Sequence, residues 1–489
     1  MKTVETAQGV CRFAVAQTDI TPPVGIYHRM WGAATHDRSV GVHRPLTASV
    51  LMFASADEGK SPQQYQLLVA LDHCLFSTVE LNALLDAITA ATAVAREAIV
   101  VTFSHTHAAG MMTLDRQSLP GGDLIPEYLS GLYTTVAKLA VECQHNLRPA
   151  DITYGRGHCH LAAHRDFWDE VHREYVCGLN PGGPADDAVL VARITVDDGQ
   201  VLATVVNYAC HPTTLAWQNR LISPDFPGAT CELVRKATGA PCVFIQGACG
   251  DLGPREGYVG EPEIADRNGR QLGYAALSVI ESLPPPKTHT QYAGPVVSGA
   301  TIGTWENVPL PEVRRKQVRI WDVQRATIDL PYRPDLPSLE QVARGLEKWQ
   351  AEEKAALATG DQVLIRDCRA MVERQTRLLA RLGKLPTGNF FPYKLVVWRI
   401  GDGIWISVQG EPYNLLQTSL RQRFPGVPIM VASISSDWGC TYLPPAELYG
   451  KGIYQESIAV LAPGSLEKVI ESAGDLIEQI IRAPASVTA

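Results

Sequence analysis

The stretch Ile99-Val100-Val101-Thr102-Phe103-Ser104-His105-Thr106-His107-Ala108-Ala109-Gly110 joins a β-branched run to two histidines and then to small residues. The run from Ile99 to Phe103 has the unbroken apolar character of a fully buried strand. Strands of this kind belong to α/β sheets, whose C-terminal ends collect ligands. Side chains along a strand repeat every two residues, so His105 and His107 are expected to leave the strand line on the same side. Neutral imidazole is the commonest metal ligand, and a second histidine nearby serves as acid, base or hydrogen-bond donor. A hydrogen-bonded pair of histidines in a wet loop has the same spelling, so from this dipeptide both readings stand.

Working outward, the segments on either side alternate between strand and helix. Upstream, a strand over Cys11–Ala16 leads to the proline- and glycine-containing loop Asp19–Gly25. His28, His36 and His43 follow in a glycine-dotted stretch and read as solvated surface histidines. Strands are expected at Thr47–Phe53 and Leu67–Leu71, the second ending in Asp72-His73-Cys74. An acid at that place either supports a ligand from behind or caps the next helix, Ser77–Val94. Strand, helix and strand make the unit of an α/β layer.

Downstream come a helix at Tyr128–Cys143, a strand at Ile152–Gly157, and a loop carrying His158, His160, His164 and Arg165. After a turn at Leu179–Pro184, Leu190–Val196 and Leu202–Tyr208 read as a β-hairpin. Its second strand runs into Asn207-Tyr208-Ala209-Cys210-His211-Pro212-Thr213, where a buried strand again hands a histidine to its C-terminal loop. A helix from Asp225 to about Thr238 and a strand at Pro241–Gln246 follow. The loop Gly247–Pro254 then contains glycines that permit close backbone approach, and Glu261–Leu283 is helical.

Ser338–Leu357 and Asp361–Leu382 are charged, alanine- and leucine-rich segments joined at Thr359-Gly360. They predict an αα-hairpin insertion over 338–383, laid on the α/β body and suited to a structural role or a subunit contact. Strands resume at Tyr393–Ile400 and Ile404–Val408, linked by Gly401-Asp402-Gly403, and lead into Gln409-Gly410-Glu411-Pro412-Tyr413. A strand over Pro428–Ile434 precedes Ser436-Asp437-Trp438-Gly439-Cys440-Thr441-Tyr442-Leu443-Pro444-Pro445. Tyr449, Tyr454 and Glu456 come next, and Leu466–Ile481 closes the chain as a helix. The expectation is one large α/β body over residues 1–489 with a mixed sheet.

Composition sets the class of partner. Of 489 residues, 46% are hydrophobic and 19% charged, and the net charge is −8 without a basic block. That pattern argues against nucleic acid and against an anionic membrane surface. The first residues have no apolar core of the signal-peptide kind, and no run approaches the roughly 20 apolar residues of a membrane span. The 11 cysteines are scattered, without a C-x-x-C pair, and read as reduced thiols of a cytoplasmic protein. A small-molecule substrate is the expected partner, with a homo-oligomer allowed.

Four strand-end signatures stand in order: F-S-H-T-H, N-Y-A-C-H-P-T, Q-G-E-P and the tyrosine loop ending Y-L-P-P. Together with Asp19–Pro22, Gly41–Leu46 and Gly250–Pro254, this set resembles the catalytic domain of the neutral/alkaline, non-lysosomal ceramidases. The resemblance runs along nearly the whole chain except the helical hairpin. It implies one catalytic Zn²⁺ per chain, held by His105, His211, Glu411 and Tyr442. Two imidazoles and a carboxylate suit zinc, and zinc brings the pKa of a bound water to about 7. By the same resemblance, His107, Tyr454 and Arg165 are the catalytic residues that hold a carbonyl oxygen as it gains charge. Asp251 and Gly253 lie in the substrate-binding loop.

The chain departs from the family in two ways. The family motif G-D-x-S-P carries a serine, assigned as nucleophile; here Gly250-Asp251-Leu252-Gly253-Pro254 places Gly253 there, without a hydroxyl. An acyl-serine route is excluded at that position, which leaves direct attack by zinc-bound hydroxide, and a serine restored there is expected to crowd the site. The family's β-sandwich domain and export signal also find no counterpart. The expected activity is therefore cleavage of an amide bond in a small soluble substrate. Lactone or ester hydrolysis is the alternative, followed by a zinc lyase or isomerase and by an inactive binding homologue.

Overall fold

In the computed structural model, which describes residues 2–57, 65–436 and 439–482, Ile99–Phe103 is a strand with every residue buried. Asp437 and Trp438 of the tyrosine-bearing loop lie outside the described residues. The strand forms one edge of an eight-stranded sheet. Across the sheet the order is Cys242–Gln246, Val201–Tyr208, Ala188–Thr195, Arg148–His158, Gln8–Asp19, Thr47–Ser55, Tyr65–Leu71 and Ile99–Phe103. The inner pairs are antiparallel. The outermost pair at each edge is parallel.

The sheet curls until its two edge strands lie against each other, and the segment after Ile429–Ala432 fills the seam. There Ser433 N–H donates to Gln246 O at 2.9 Å and Ser436 N–H to Val101 O at 2.7 Å. Backbone acceptors on both edges are thus satisfied rather than left bare. Curling brings together the loops that follow Phe103 and Tyr208, which sit near opposite ends of the strand order.

A second sheet, of four strands, contains Trp321–Pro331, Phe390–Ile400, Gly403–Val408 and Ile429–Ala432 in that order. It packs face to face on the first through a core that includes Phe13, Phe53, Trp398 and Trp405. The Phe53 and Trp405 rings are 5.4 Å apart and those of Trp398 and Trp405 5.9 Å. The other face of the large sheet is covered by helices Thr78–Ala91, Ile125–His145, Phe226–Thr238 and Pro262–Ser282. Leu415–Arg423 and Ser465–Arg482 cover the smaller sheet. Each amphipathic element thus buries its apolar side, in four layers. The body is mixed α/β as expected, but built on two packed sheets rather than one.

Other differences follow from exposure. Thr288–Ser298 and Ala300–Pro309 form a largely exposed hairpin around Gly299, and with little to bury it carries no strong apolar period. Arg165 lies on a strand, Ala162–Asp169, rather than in a loop, and that strand pairs with Glu174–Asn180, which reaches into the stretch read as a turn. His28 and His36 are buried, not solvated. His28 Nδ1 lies 3.1 Å from His36 Nε2, and His28 Nε2 meets Ala108 O and Leu221 O, so the pair ties its loop to the segment after His107.

The αα-hairpin is present, as helices Leu339–Thr359 and Gln362–Leu382. Ser338 and Asp361 cap their N-termini and Gly360 turns left-handed between them, as such residues do. Its second helix does not stand free. Glu373 is buried and accepts from Arg116 at 3.0 Å, Arg377 donates to Met30 O, and Arg381 Nη1 lies 3.5 Å from Ile458 O. No described helix is long and apolar enough to cross a membrane, and all eleven cysteines are free thiols.

Candidate metal centre

His105 is not a strand residue. The ladder stops at Phe103, Ser104 N–H donates to Leu71 O, and His105 adopts a left-handed φ of 66°. That kink, rather than strand alternation, aims the ring. Its Nδ1 is 2.7 Å from Cys74 O, so Nδ1–H donates there and Nε2 faces inward. His211 repeats the device: Nδ1 lies 2.7 Å from Cys249 O and 3.0 Å from Leu252 O, and Nε2 points to the same centre. Histidines anchored in this way through the outer nitrogen are the usual form of metal-binding imidazole.

Glu411 comes from the other sheet, just beyond Gly403–Val408. Its Oε2 is 2.9 Å from His211 Nε2 and 3.5 Å from His105 Nε2. Tyr442 follows from the seam segment, and its hydroxyl is 3.4 Å from His211 Nε2. His105, His211 and Glu411 are all buried, with ligand atoms within 4.8 Å of one another.

The donor chemistry asks for a cation. With both Nδ1 atoms held by carbonyls, two imidazole Nε2 atoms and a carboxylate converge in a buried space. Burial disfavours ionised Glu411, yet His105 and His211 hold its pKa well below the usual range. Burial and the Arg165 charge lower His211 to about 4, keeping it neutral. Burial alone would lower His105, but Cys74 and Glu411 raise its pKa well above the usual range. The Glu411 carboxylate thus draws positive charge into a site away from water. A metal cation would take the place of the His105 proton, and two nitrogens with one carboxylate oxygen fit zinc. Cys74 Sγ also approaches His105, but at Nδ1, 3.5 Å away. With His105 and His107 it makes a second group of candidate ligand atoms within 4.8 Å of one another.

The remaining expected residues fall into three groups. His107 is in the site: its Nε2 is 3.3 Å from His105 Nε2, with the rings crossed at 88°. Burial and the two neighbouring histidines push its pKa well down. Tyr454 opens a short helix, half exposed, its ring 5.8 Å from that of Tyr442. Arg165 is buried and donates to Gly250 O at 2.6 Å and to the Tyr442 hydroxyl at 3.0 Å, which makes it a holder of Tyr442. Asp251 braces a turn, since its Oδ1 accepts from Asn414 N–H at 2.6 Å, three residues past Glu411. A Cβ on Gly253 would meet nothing closer than Thr213 Oγ1 at 3.7 Å, Tyr258 hydroxyl at 3.8 Å and Arg165 Cδ at 4.0 Å. These are ordinary contacts, so a Cβ at this position meets no clash.

Several site residues carried no sequence signal. Trp31, within the glycine-dotted stretch, places its ring 5.2 Å from His107. It meets Trp217 and Tyr258 edge-on at 6.1 and 5.8 Å, forming an aromatic wall. The second hairpin helix reaches from Met30, beside Trp31, to Ile458, at the end of the Tyr454 helix. It thus spans two loops that flank the centre. Arg381 is an electrostatic neighbour of Tyr454, Glu411 and Tyr442. A cluster of aromatic residues would have hinted at the wall; nothing local points to Arg381.

No protein-family model matches the chain, and no curated protein matches it in sequence. Solved structures do. A crystal structure of neutral ceramidase from Pseudomonas aeruginosa superposes with a TM-score of 0.65 at 15% identity, covering 99% of this chain and 76% of that one. A ceramidase complexed with C2 superposes at 0.63 and 14% identity, covering 99% and 77%. The chain therefore has a neutral ceramidase-like fold, and the likeness spans the helical hairpin as well.

Proposed function

We propose that this chain is a zinc-dependent hydrolase that cleaves an amide bond in a small substrate, with residues 1–489 acting as one catalytic domain. The observation that carries the reading is the convergence of His105 Nε2, His211 Nε2 and Glu411 Oε2 with both outer nitrogens tied to carbonyls. His105, His211 and Glu411 would hold the ion, with Tyr442 beside them. When bound there, zinc supplies a Lewis acid for a carbonyl and makes water acidic enough to attack near neutral pH.

The chain's own groups complete the chemistry. His107, neutral and adjacent to His105, is placed to donate to a carbonyl oxygen or to move a proton as the bond breaks. Tyr454, half exposed beside Tyr442, offers a second donor to the oxygen as it gains charge. Arg165 keeps the Tyr442 hydroxyl at the centre. Gly253 supplies no hydroxyl, so a water oxygen rather than a serine is the nucleophile. The aromatic wall on one side and the hairpin helix on the other favour a compact substrate.

The test is metal analysis of the purified protein with and without chelator, followed by a screen of N-acyl amides against lactones and esters of matched size. Chelator-sensitive amide hydrolysis is expected. Lactone or ester hydrolysis alone would replace the amide assignment, and no stoichiometric zinc would overturn the metal assignment.

A further inference from the structure

The space above Gly253 is bounded by hydroxyls. Thr213 Oγ1 and the Tyr258 hydroxyl stand 3.7 and 3.8 Å from where a Cβ would be; Thr213 Oγ1 lies 3.5 Å from His211 O and the Tyr258 hydroxyl 3.7 Å from Cys177 Sγ. Thr213 is fully buried two residues after His211, while Tyr258 is only partly covered. Arg165 passes the same point, its Cδ 4.0 Å from that Cβ position and its Nη2 3.0 Å from the Tyr442 hydroxyl. The two hydroxyls therefore flank Arg165, which holds the Tyr442 hydroxyl of the proposed metal centre, around a glycine that is itself buried.

Tyr258 is held there against its own preference. Its φ is 59°, the left-handed region that a bulky side chain avoids. Tyr258 N–H donates to Thr213 O at 2.9 Å and Val259 N–H to Thr214 O at 2.9 Å, which pins the strained residue to the segment carrying His211. On its other side the ring meets Trp31 edge-on, so Tyr258 joins the aromatic wall to the hydroxyl pair. Strain of roughly 1–3 kcal/mol persists where the surroundings over-determine it, and it clusters at functional sites.

We propose that Tyr258 is a substrate-contacting residue: with Thr213 it forms a polar shelf over Gly253 that hydrogen-bonds the group next to the scissile carbonyl, while Trp31 covers an adjoining ring or alkyl part. This rests on the hydrolase reading for the reaction, but not for the contact itself. The shelf borders the space beside Gly253, where a Cβ would stand 3.7 and 3.8 Å from its two oxygens. A substrate that uses it carries a hydrogen-bonding nitrogen or oxygen there, together with a compact apolar group.

The experiment uses zinc-loaded full-length protein, with benzohydroxamic acid as a metal-directed probe that presents an amide-like N–H and a ring. Tyr258→Phe removes one oxygen and keeps the contact with Trp31. Loss of one uncharged hydrogen bond should weaken probe binding, read by calorimetry, by roughly three- to tenfold, with zinc content and melting temperature unchanged. Unchanged affinity would overturn the proposal. Weakened binding accompanied by zinc loss or a lower melting temperature would also overturn it, because Tyr258 would then be filling space. Amide hydrolysis measured on the same two proteins separates this from the reaction assigned above. Probe affinity lost in Tyr258→Phe while wild type cleaves no amide supports the contact and removes the amide reading. Amide cleavage and probe binding that are equal in both proteins do the reverse.

Discussion

Glu411 and Tyr442 are register partners in a two-residue parallel ladder, with Pro412 opposite Leu443. Glu411 N–H donates to Thr441 O at 2.8 Å, so the carboxylate and the phenol reach the centre as one unit. Gly410 makes the approach possible. Its φ is 67°, and a Cβ there would lie 2.3 Å from Thr441 O and 2.5 Å from Cys440 Sγ. Gly410→Ala should therefore push the two segments apart and lower zinc occupancy, although it alters no ligand. Elemental analysis of the variant checks this; full zinc with normal affinity would show that the ladder does not set the ligand geometry.

His105 and His107 are near twins in sequence and unequal in structure. Only His105 has its outer nitrogen fixed on a carbonyl beside the Glu411 carboxylate. His105→Ala should lose metal and activity together. His107→Ala should keep zinc and lose about 10²–10³-fold in kcat, the scale of one oxyanion or acid–base partner. Zinc content and steady-state kinetics on both variants decide it; equal metal loss would make His107 a ligand.

Removing the metal should cost stability, because only the folded chain assembles the site and ligand binding adds to folding. Chelator should lower the melting temperature of wild type and leave Glu411→Ala unmoved. An equal chelator effect on both would place the bound metal elsewhere.

The parts of the site that sequence revealed are those delivered by local rules. Each of His105, His211 and Glu411 follows a strand whose residues are almost all buried, and an apolar run ending in a polar cluster is visible in any reading. The hairpin was legible from its helical spacing and Gly360. What brings these three side chains together was not, since the curl of the large sheet and the seam at Ser433–Ser436 are contacts between distant segments. Tyr258 lies some 45 residues beyond Thr213 in the chain, and its left-handed φ has no spelling of its own. Asp251, expected in the substrate-binding loop, also has a bracing contact that no motif spells: it is buried and its Oδ1 accepts from Asn414 N–H beyond Glu411.

The hairpin should matter for stability because its inner helix carries charge into the body. Glu373 is 6% exposed and joins Arg116, itself 3% exposed, at 3.0 Å, with Arg377 Nε at 2.6 Å from its other oxygen. Removing one partner of a buried pair leaves an uncompensated charge, at a cost of about 3–5 kcal/mol. Glu373→Ala should show that loss in urea unfolding, with earlier proteolysis within 338–383. A change under about 1 kcal/mol, the scale of a surface pair, would mean that the helix sits loosely on the body.

Acid should destabilise the fold through His73. The ring is buried, with Nε2 2.6 Å from the Tyr128 hydroxyl. That hydroxyl gives its own proton to Ile20 O at 2.8 Å, so His73 Nε2–H is the donor and Nδ1 carries the lone pair. Nδ1 has no hydrogen-bond partner among the described residues, and burial lowers the pKa of His73 to about 3. Unfolded, the same ring takes a proton near pH 6.5. Below that pH the unfolded chain binds a proton that the folded chain refuses. The contribution of His73 is therefore complete above pH 6.5 and is lost as pH falls toward 3, at about 1.4 kcal/mol per pH unit. Between pH 6.5 and 5, wild type should lose about 2 kcal/mol more than His73→Gln, which keeps a side-chain donor but cannot titrate. Urea unfolding of both proteins in chelator, so that metal release does not contribute, gives the difference. Parallel stability curves for the two would mean that His73 accepts its proton in the folded chain, which would require Nδ1 to find a partner on acidification.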